Sequence, residues 1–246
     1  MAIRSESVRY RDGQTPLTGY AAWDDESNDA RPGVLVVHGG AGLDDHARGR
    51  AQRMAGLGYV AFACDMYGDG VAGDRQRIMA TIADLRAERA RLVERAAAGL
   101  DQLTSHRLVD GRLGAVGYCF GGMTVLEMAR AGTALAGAVS VHGTLAATRP
   151  AEPGAIRTKI LVCHGALDPH VPTLQVTAFA DEMRDAGADW QLIVYGGAMH
   201  GFTHEHADPG RTPGVAYHAV SDARSSLAIR QFLIEAFADP AEGDRS

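Results

Sequence analysis

The 246-residue sequence has only three cysteines, an excess of acid over base, no stretch long and apolar enough to cross a membrane, and no Gly-x-Ser-x-Gly turn. Each of these absences excludes something. Cys64, Cys119 and Cys163 are widely spaced, and two of them fall in strands expected at the centre of a sheet, where a cysteine behaves as a small apolar residue; a disulfide framework is not expected. The 24 basic side chains against 30 acidic ones leave a net charge of -6, so the phosphates of a nucleic acid would find no basic patch. No apolar run approaches the roughly 20 residues of a membrane span, and Met1 to Tyr10 lacks the apolar core of a signal peptide. The expectation is a cytoplasmic protein, monomer or homodimer, with neither a membrane nor a nucleic-acid partner.

A 46% hydrophobic content over this length suffices for one large core, and residues 1–246 read as a single domain with a frayed polar tail at 239–246. Ser7 to Tyr10 and Leu17 to Trp23 form an expected antiparallel hairpin around Asp12-Gly13. Strands follow at Gly33 to His38 and Ile160 to Gly165, both read as buried, and at Tyr59 to Cys64, a run ending at Tyr118, Ala136 to Val141 and Trp190 to Tyr195. Helices alternate with them: Asp45 to Leu57 with Asp44 and Asp45 as caps, one long amphipathic helix from Ile78 to Leu103, Pro172 to Ala186 stopped by Gly187, and Ser221 to Ala238. Such alternation predicts an α/β fold: a mostly parallel, twisted sheet with an antiparallel N-terminal hairpin and helices on both faces. In such a fold, ligands sit at the C-terminal ends of the strands.

The most informative stretch is Leu113 to Met123, where a small apolar run meets Gly117-Tyr118-Cys119-Phe120-Gly121-Gly122 and then a helical pattern. This is the layout of a nucleophile elbow, with cysteine where serine is usual. Asp168 follows the strand at Ile160 to Gly165, in a loop closed by Pro169 and Pro172; His200 lies in the loop beyond the strand at Trp190 to Tyr195. Nucleophile, acid and histidine thus occur in the chain order of an α/β-hydrolase, each after a strand. A free thiol is only a few per cent ionised at neutral pH, so Cys119 needs His200 as base, and His200 needs Asp168 to hold its tautomer. The backbone N–H groups of Phe120 and Gly40 are the candidate oxyanion donors. The chemistry needs no metal and no organic cofactor.

With these motifs the chain resembles the dienelactone hydrolase family, cysteine-based members of the α/β-hydrolase fold. The resemblance extends over nearly the whole chain through the elbow, Cys64-Asp65-Met66-Tyr67-Gly68, Gly165-Ala166-Leu167-Asp168-Pro169-His170-Val171-Pro172 and His200-Gly201-Phe202. It implies hydrolysis of small esters or lactones through an acyl-thioester, with Cys119, Asp168 and His200 as the catalytic residues. It points to His38, Gly39, Tyr67, Asp69, Phe202 and His204 as candidate pocket residues. There are departures. The family glutamate that holds the resting cysteine is replaced by Gly39, so Cys119 is expected to pair with His200 without substrate; His38 either substitutes for that glutamate or holds a loop backbone. The family's two substrate-binding arginines match positions near Asp69 and His204, which argues against an anionic substrate unless Arg75 or Arg77 reaches in.

Other readings remain open. A thioesterase or cysteine peptidase would use the same thiolate, and a non-catalytic relative of the fold would keep the cavity without the chemistry. His46, His200, His204 and His206 suggest a metal site by residue type, but their spacing is not that of a helical zinc motif. The elbow also lacks the Gly-x-Gly-x-x-Gly of a dinucleotide fold.

Overall fold

The computed structural model describes residues 2–147 and 149–238; the tail expected at 239–246 lies outside them. β1 (Ile3–Asp12) and β2 (Thr15–Asp24) form the N-terminal hairpin, longer at both ends than the alternation in the sequence suggests. The remaining strands are β3 (Arg31–Val37), β4 (Val60–Cys64), β5 (Val109–Tyr118), β6 (Gly137–Val141), β7 (Lys159–Gly165) and β8 (Trp190–Tyr195). They make one eight-stranded sheet in the order β1-β2-β4-β3-β5-β6-β7-β8, antiparallel up to β4 and parallel from β4 to β8.

Successive side chains of a strand face opposite ways, so a strand covered on both sides is apolar throughout. β3 shows this directly: Leu35 and Val37 join one core cluster and Val34 and Val36 the other. The first cluster is completed by α2 (Arg75–Ala87), α3 (Arg89–Thr104), α4 (Phe120–Arg130) and α5 (Thr173–Asp185), the second by α1 (Asp45–Gly56) and α6 (Ala219–Phe237). Helices therefore cover both faces. Asp44 caps α1 by accepting from the N–H of Ala47 at 3.0 Å.

The long helix expected from Ile78 to Leu103 is two helices. Glu88, at φ -125° and ψ 96°, breaks the run between α2 and α3. Apolar residues keep helical spacing across the break, so the pattern hides it. Only Leu85 of α2 is buried, against six residues of α3.

Candidate active site

The elbow is built by close packing of glycines. A side chain at Gly117 would collide with the backbone of Gly121, and one at Gly121 with the carbonyl of Val37, so strand β5 and helix α4 pass at a distance only glycine allows. The turn between them puts Cys119 at φ 53°, a left-handed conformation costing a non-glycine residue about 1–3 kcal/mol. Its carbonyl accepts from the N–H of Met123, and its side chain stands at the N-terminus of α4. Cys119 is partly exposed; Cys64 and Cys163 are buried.

Two other loops bring the partners. His200 Nε2 lies 3.0 Å from Cys119 Sγ, and His200 Nδ1 lies 2.8 Å from Asp168 Oδ2. Asp168 Oδ1 is used separately, accepting from the N–H of His170 at 2.8 Å. The acid and histidine loops are tied by Leu167 N–H to Ala198 O at 2.9 Å. A strap formed by the loop after His200 returns to it: His200 N–H donates to Gly214 O and Ala216 N–H to His200 O, each at 3.1 Å. The imidazole is thus fixed on both its ring and its backbone.

These contacts set the ionisation of the site. Burial works against a charged Cys119, but the hydrogen bond and charge of His200, with the N–H groups of Gly40 and Phe120, hold its thiol below the ordinary value. Burial likewise opposes a charged His200; its bonds to Asp168 and Cys119 prevail and raise it to about 10. For Asp168, burial is outweighed by His200 and the N–H of His170, and its carboxyl is lowered. Cys64 and Cys163 have no such partner, and burial pushes Cys163 up to about 12 and Cys64 further.

A cavity of about 330 Å³ opens over Cys119, with Gly40, Asp44, His46, His142, His204 and Val215 in its wall. Of the pocket residues expected from sequence, Gly39 and His204 line it. A Cβ at position 39 would stand 3.6 Å from Cys119 Cβ, so a side chain there would lie over the thiol. The cavity wall, among the described residues, does not include His38, Tyr67, Asp69 or Phe202. His38 is fully buried, with Nδ1–H donating to Gly39 O at 2.7 Å and Nε2 accepting from Met66 N–H at 3.1 Å; it holds loop backbone and substitutes for no carboxylate. Tyr67 supports the same loop, its hydroxyl donating to Gly39 O and Gly40 O at 3.3 and 3.2 Å. Asp69 follows Gly68, whose φ of 96° turns the chain toward β2, and accepts there from the Thr18 hydroxyl at 3.3 Å. Phe202 is buried beneath the histidine loop against Tyr195 and His142. Arg77 donates to Gly70 O at 2.6 Å, outside the cavity; Arg211, from the strap, lines it instead.

His142 has no counterpart among the residues picked from sequence. It follows β6 directly, at the strand end that faces ligands in this architecture, and that position was its only signal. His204 Nε2 lies 3.2 Å from Asp44 Oδ2, and its ring stacks on His46 at 4.8 Å.

The sheet topology, with an elbow between β5 and α4, is that of an α/β-hydrolase, and solved structures of that fold superpose on it. A thermophilic esterase from Thermogutta terrifontis is similar in fold, with a TM-score of 0.65 over 96% of both chains at 19% identity. The chain belongs to the dienelactone hydrolase family, whose sequence profile matches residues 17–237. It is a hydrolase of that family. The crystal structure of P91, a dienelactone hydrolase-like promiscuous phosphotriesterase from metagenomic libraries, is 41% identical, covers 97% of this chain and 100% of that one, and has a TM-score of 0.92. A relative from Escherichia coli O157:H7 named carboxymethylenebutenolidase is 28% identical over 218 residues, 83% of this chain and 77% of its own.

Proposed function

We propose that the protein hydrolyses small, uncharged carboxylic esters or lactones with Cys119 as nucleophile. One observation carries this reading: the unbroken sequence Sγ, Nε2, Nδ1, Oδ2 at 3.0 and 2.8 Å, beneath an open cavity. The thiolate attacks the ester carbonyl, and the oxyanion forms beside the N–H groups of Gly40 and Phe120, which favour negative charge on the sulfur as well. The imidazolium of His200 then gives its proton to the leaving oxygen, the C–O bond breaks, and an acyl-thioester remains. Water, losing a proton to His200, attacks the thioester; collapse expels the thiolate and releases the acid. Asp168 keeps the ring oriented and its charge balanced throughout.

The cavity supports an uncharged substrate. Its wall carries the carboxylates of Asp44 and Asp208, and Arg211, 3.9 Å from Asp208, is the one arginine in it among the described residues. A second activity is favoured by the similarity to P91: attack of the same thiolate on a phosphotriester, with an aryloxide leaving phosphorus. The test is turnover of p-nitrophenyl acetate, a neutral lactone and an aryl dialkyl phosphate by the wild type and Cys119→Ala. The variant is expected to fold normally and lose at least about ten-thousandfold in kcat. Turnover retained in Cys119→Ala would refute the assignment.

A further inference from the structure

His142 occupies the wall of the cavity, with its ring 5.4 Å from that of His200, yet both its nitrogens are already committed. Cys119 N–H is shared between Val141 O at 3.0 Å and His142 Nδ1 at 3.2 Å; a proton on Nδ1 would face that N–H, so the ring proton sits on Nε2, 2.9 Å from Thr203 Oγ1. The Thr203 hydroxyl therefore has its own proton to give. His46 Nε2 receives it at 3.2 Å and also accepts from Arg50 Nε–H at 3.2 Å, which leaves the His46 proton on Nδ1. Arg50 ends the chain: Nη2 donates to Thr203 O at 2.6 Å, and the guanidinium pairs with the buried Asp222 at 2.9 Å. With the Cys119 and Arg50 N–H groups fixed as donors, the line is satisfied with His142 protonated on Nε2 and His46 on Nδ1, the Thr203 hydroxyl and Arg50 sharing the His46 Nε2 lone pair.

We propose that His142 and Thr203 are positioning residues, a hydrogen-bonded line from the peptide of Cys119 to the Arg50–Asp222 pair that keeps Sγ against His200. The line joins the three pieces that must stay in register. Cys119 belongs to the elbow, Thr203 to the histidine loop, and His46 and Arg50 to the helix that follows the oxyanion loop. Cys119 and His142 are the two non-glycine residues with positive φ among the described residues, and the hydrogen bond between them links the two strained positions. His142 cannot serve as a base or bind substrate through its nitrogens without breaking this line. It must also stay neutral, since a second cation beside His200 would oppose the imidazolium; burial, with His200, His46 and Arg50 around it, keeps its own proton affinity low. The other titratable groups facing the pair are Asp168, His164 and His170 around His200, and Tyr67 near Cys119.

The inference rests on the thiolate reading above, and the experiment separates the two. The rate of Cys119 alkylation by iodoacetamide is followed against pH, beside kcat and KM for p-nitrophenyl acetate, in the wild type, Thr203→Val, Thr203→Ser and His142→Asn. A wild-type midpoint near that of a free thiol, about 8.5, would sink the thiolate reading itself. With that reading standing, Thr203→Val keeps the shape but not the hydroxyl. Its alkylation midpoint is expected to rise by about one pH unit and its kcat to fall about tenfold, the equivalent of one hydrogen bond, with KM unchanged. Thr203→Ser is expected to restore both. His142→Asn tolerates the positive φ but cannot reach Thr203, and its midpoint is expected to rise as well. An unchanged midpoint in Thr203→Val, or in His142→Asn if the valine variant does not fold, overturns the proposal. So does Thr203→Ser behaving like Thr203→Val.

Discussion

Helix α4 has an ionic cluster at each end, and the two are opposites. At its N-terminus, in the mechanism proposed above, charge arises when Cys119 passes its proton to His200, whose Nε2 lies 3.0 Å from the sulfur, below an open cavity. At its C-terminus the charges are permanent. Arg130 pairs with Glu127 and Glu182 at 2.8 Å each, donates to Leu145 O at 2.9 Å and is fully buried, while Arg89 closes on Glu127 at 2.9 Å. The helix dipole favours both arrangements, an anion at the start and a cation at the end. The difference lies in saturation. Arg130 has a partner for each guanidinium nitrogen, so nothing is left to react, whereas Sγ has donors directed at it and an open side.

The largest expected contrast is in thiol chemistry. At neutral pH iodoacetamide should modify Cys119 at least about a thousandfold faster than Cys163 or Cys64, whose burial without a cationic partner suppresses the thiolate. Peptide mapping of the alkylated protein checks this. The pH dependence has a definite sign: because the Cys119 thiol is held low and His200 is raised to about 10, the ion pair persists between those two ionisations. Ester kcat/KM should therefore rise on the acid side as Cys119 deprotonates, stay level through neutrality and fall as pH passes about 10. A bell centred on an ordinary histidine would break the comparison.

The other end of α4 should respond in stability alone. Arg130→Met leaves the half-buried Glu182 without its cation and the buried Glu127 with Arg89 alone, a change expected to cost about 3 kcal/mol, or roughly 10 °C in Tm. Activity per folded molecule should be unchanged. If kcat fell with stability intact, the two ends would be coupled through the helix and the distinction between them would fail.

What could be read from the sequence follows the same division. Cys119, Asp168 and His200 each follow a strand, and the chain order of their three loops is written in glycines and prolines, so their approach was predictable from local signals. The central parallel strands were equally plain as apolar runs, whereas the hairpin strands and the polar start of β5 at Val109 extend beyond their sequence signals. The break at Glu88 was not, because no glycine or proline marks it and the apolar spacing continues through it. The pocket walls were the hardest to foresee. Asp69 matches a substrate-binding position of the family, yet the turn at Gly68 carries it to Thr18, and His38 uses both nitrogens on loop backbone. His142 is a single residue whose meaning depends on Thr203, 61 positions away.

The smallest expected effect concerns Asp44, which does two jobs that can be separated. Oδ1 caps α1 at Ala47 N–H, and Oδ2 takes the His204 ring at 3.2 Å in the cavity wall. Burial raises this carboxyl, but the bonds from His204 and Ala47 prevail and keep it charged. Asparagine is as good a cap as aspartate, so Asp44→Asn should remove the charge while leaving the helix start intact. With one cavity carboxylate gone, a carboxylated aryl ester should gain about fivefold in kcat/KM relative to its neutral analogue, the effect of roughly 1 kcal/mol of relieved repulsion. The neutral ester should scarcely respond. Equal responses from the two esters would mean that Asp44 matters only as a cap, and that the cavity chooses its substrates by shape rather than by charge.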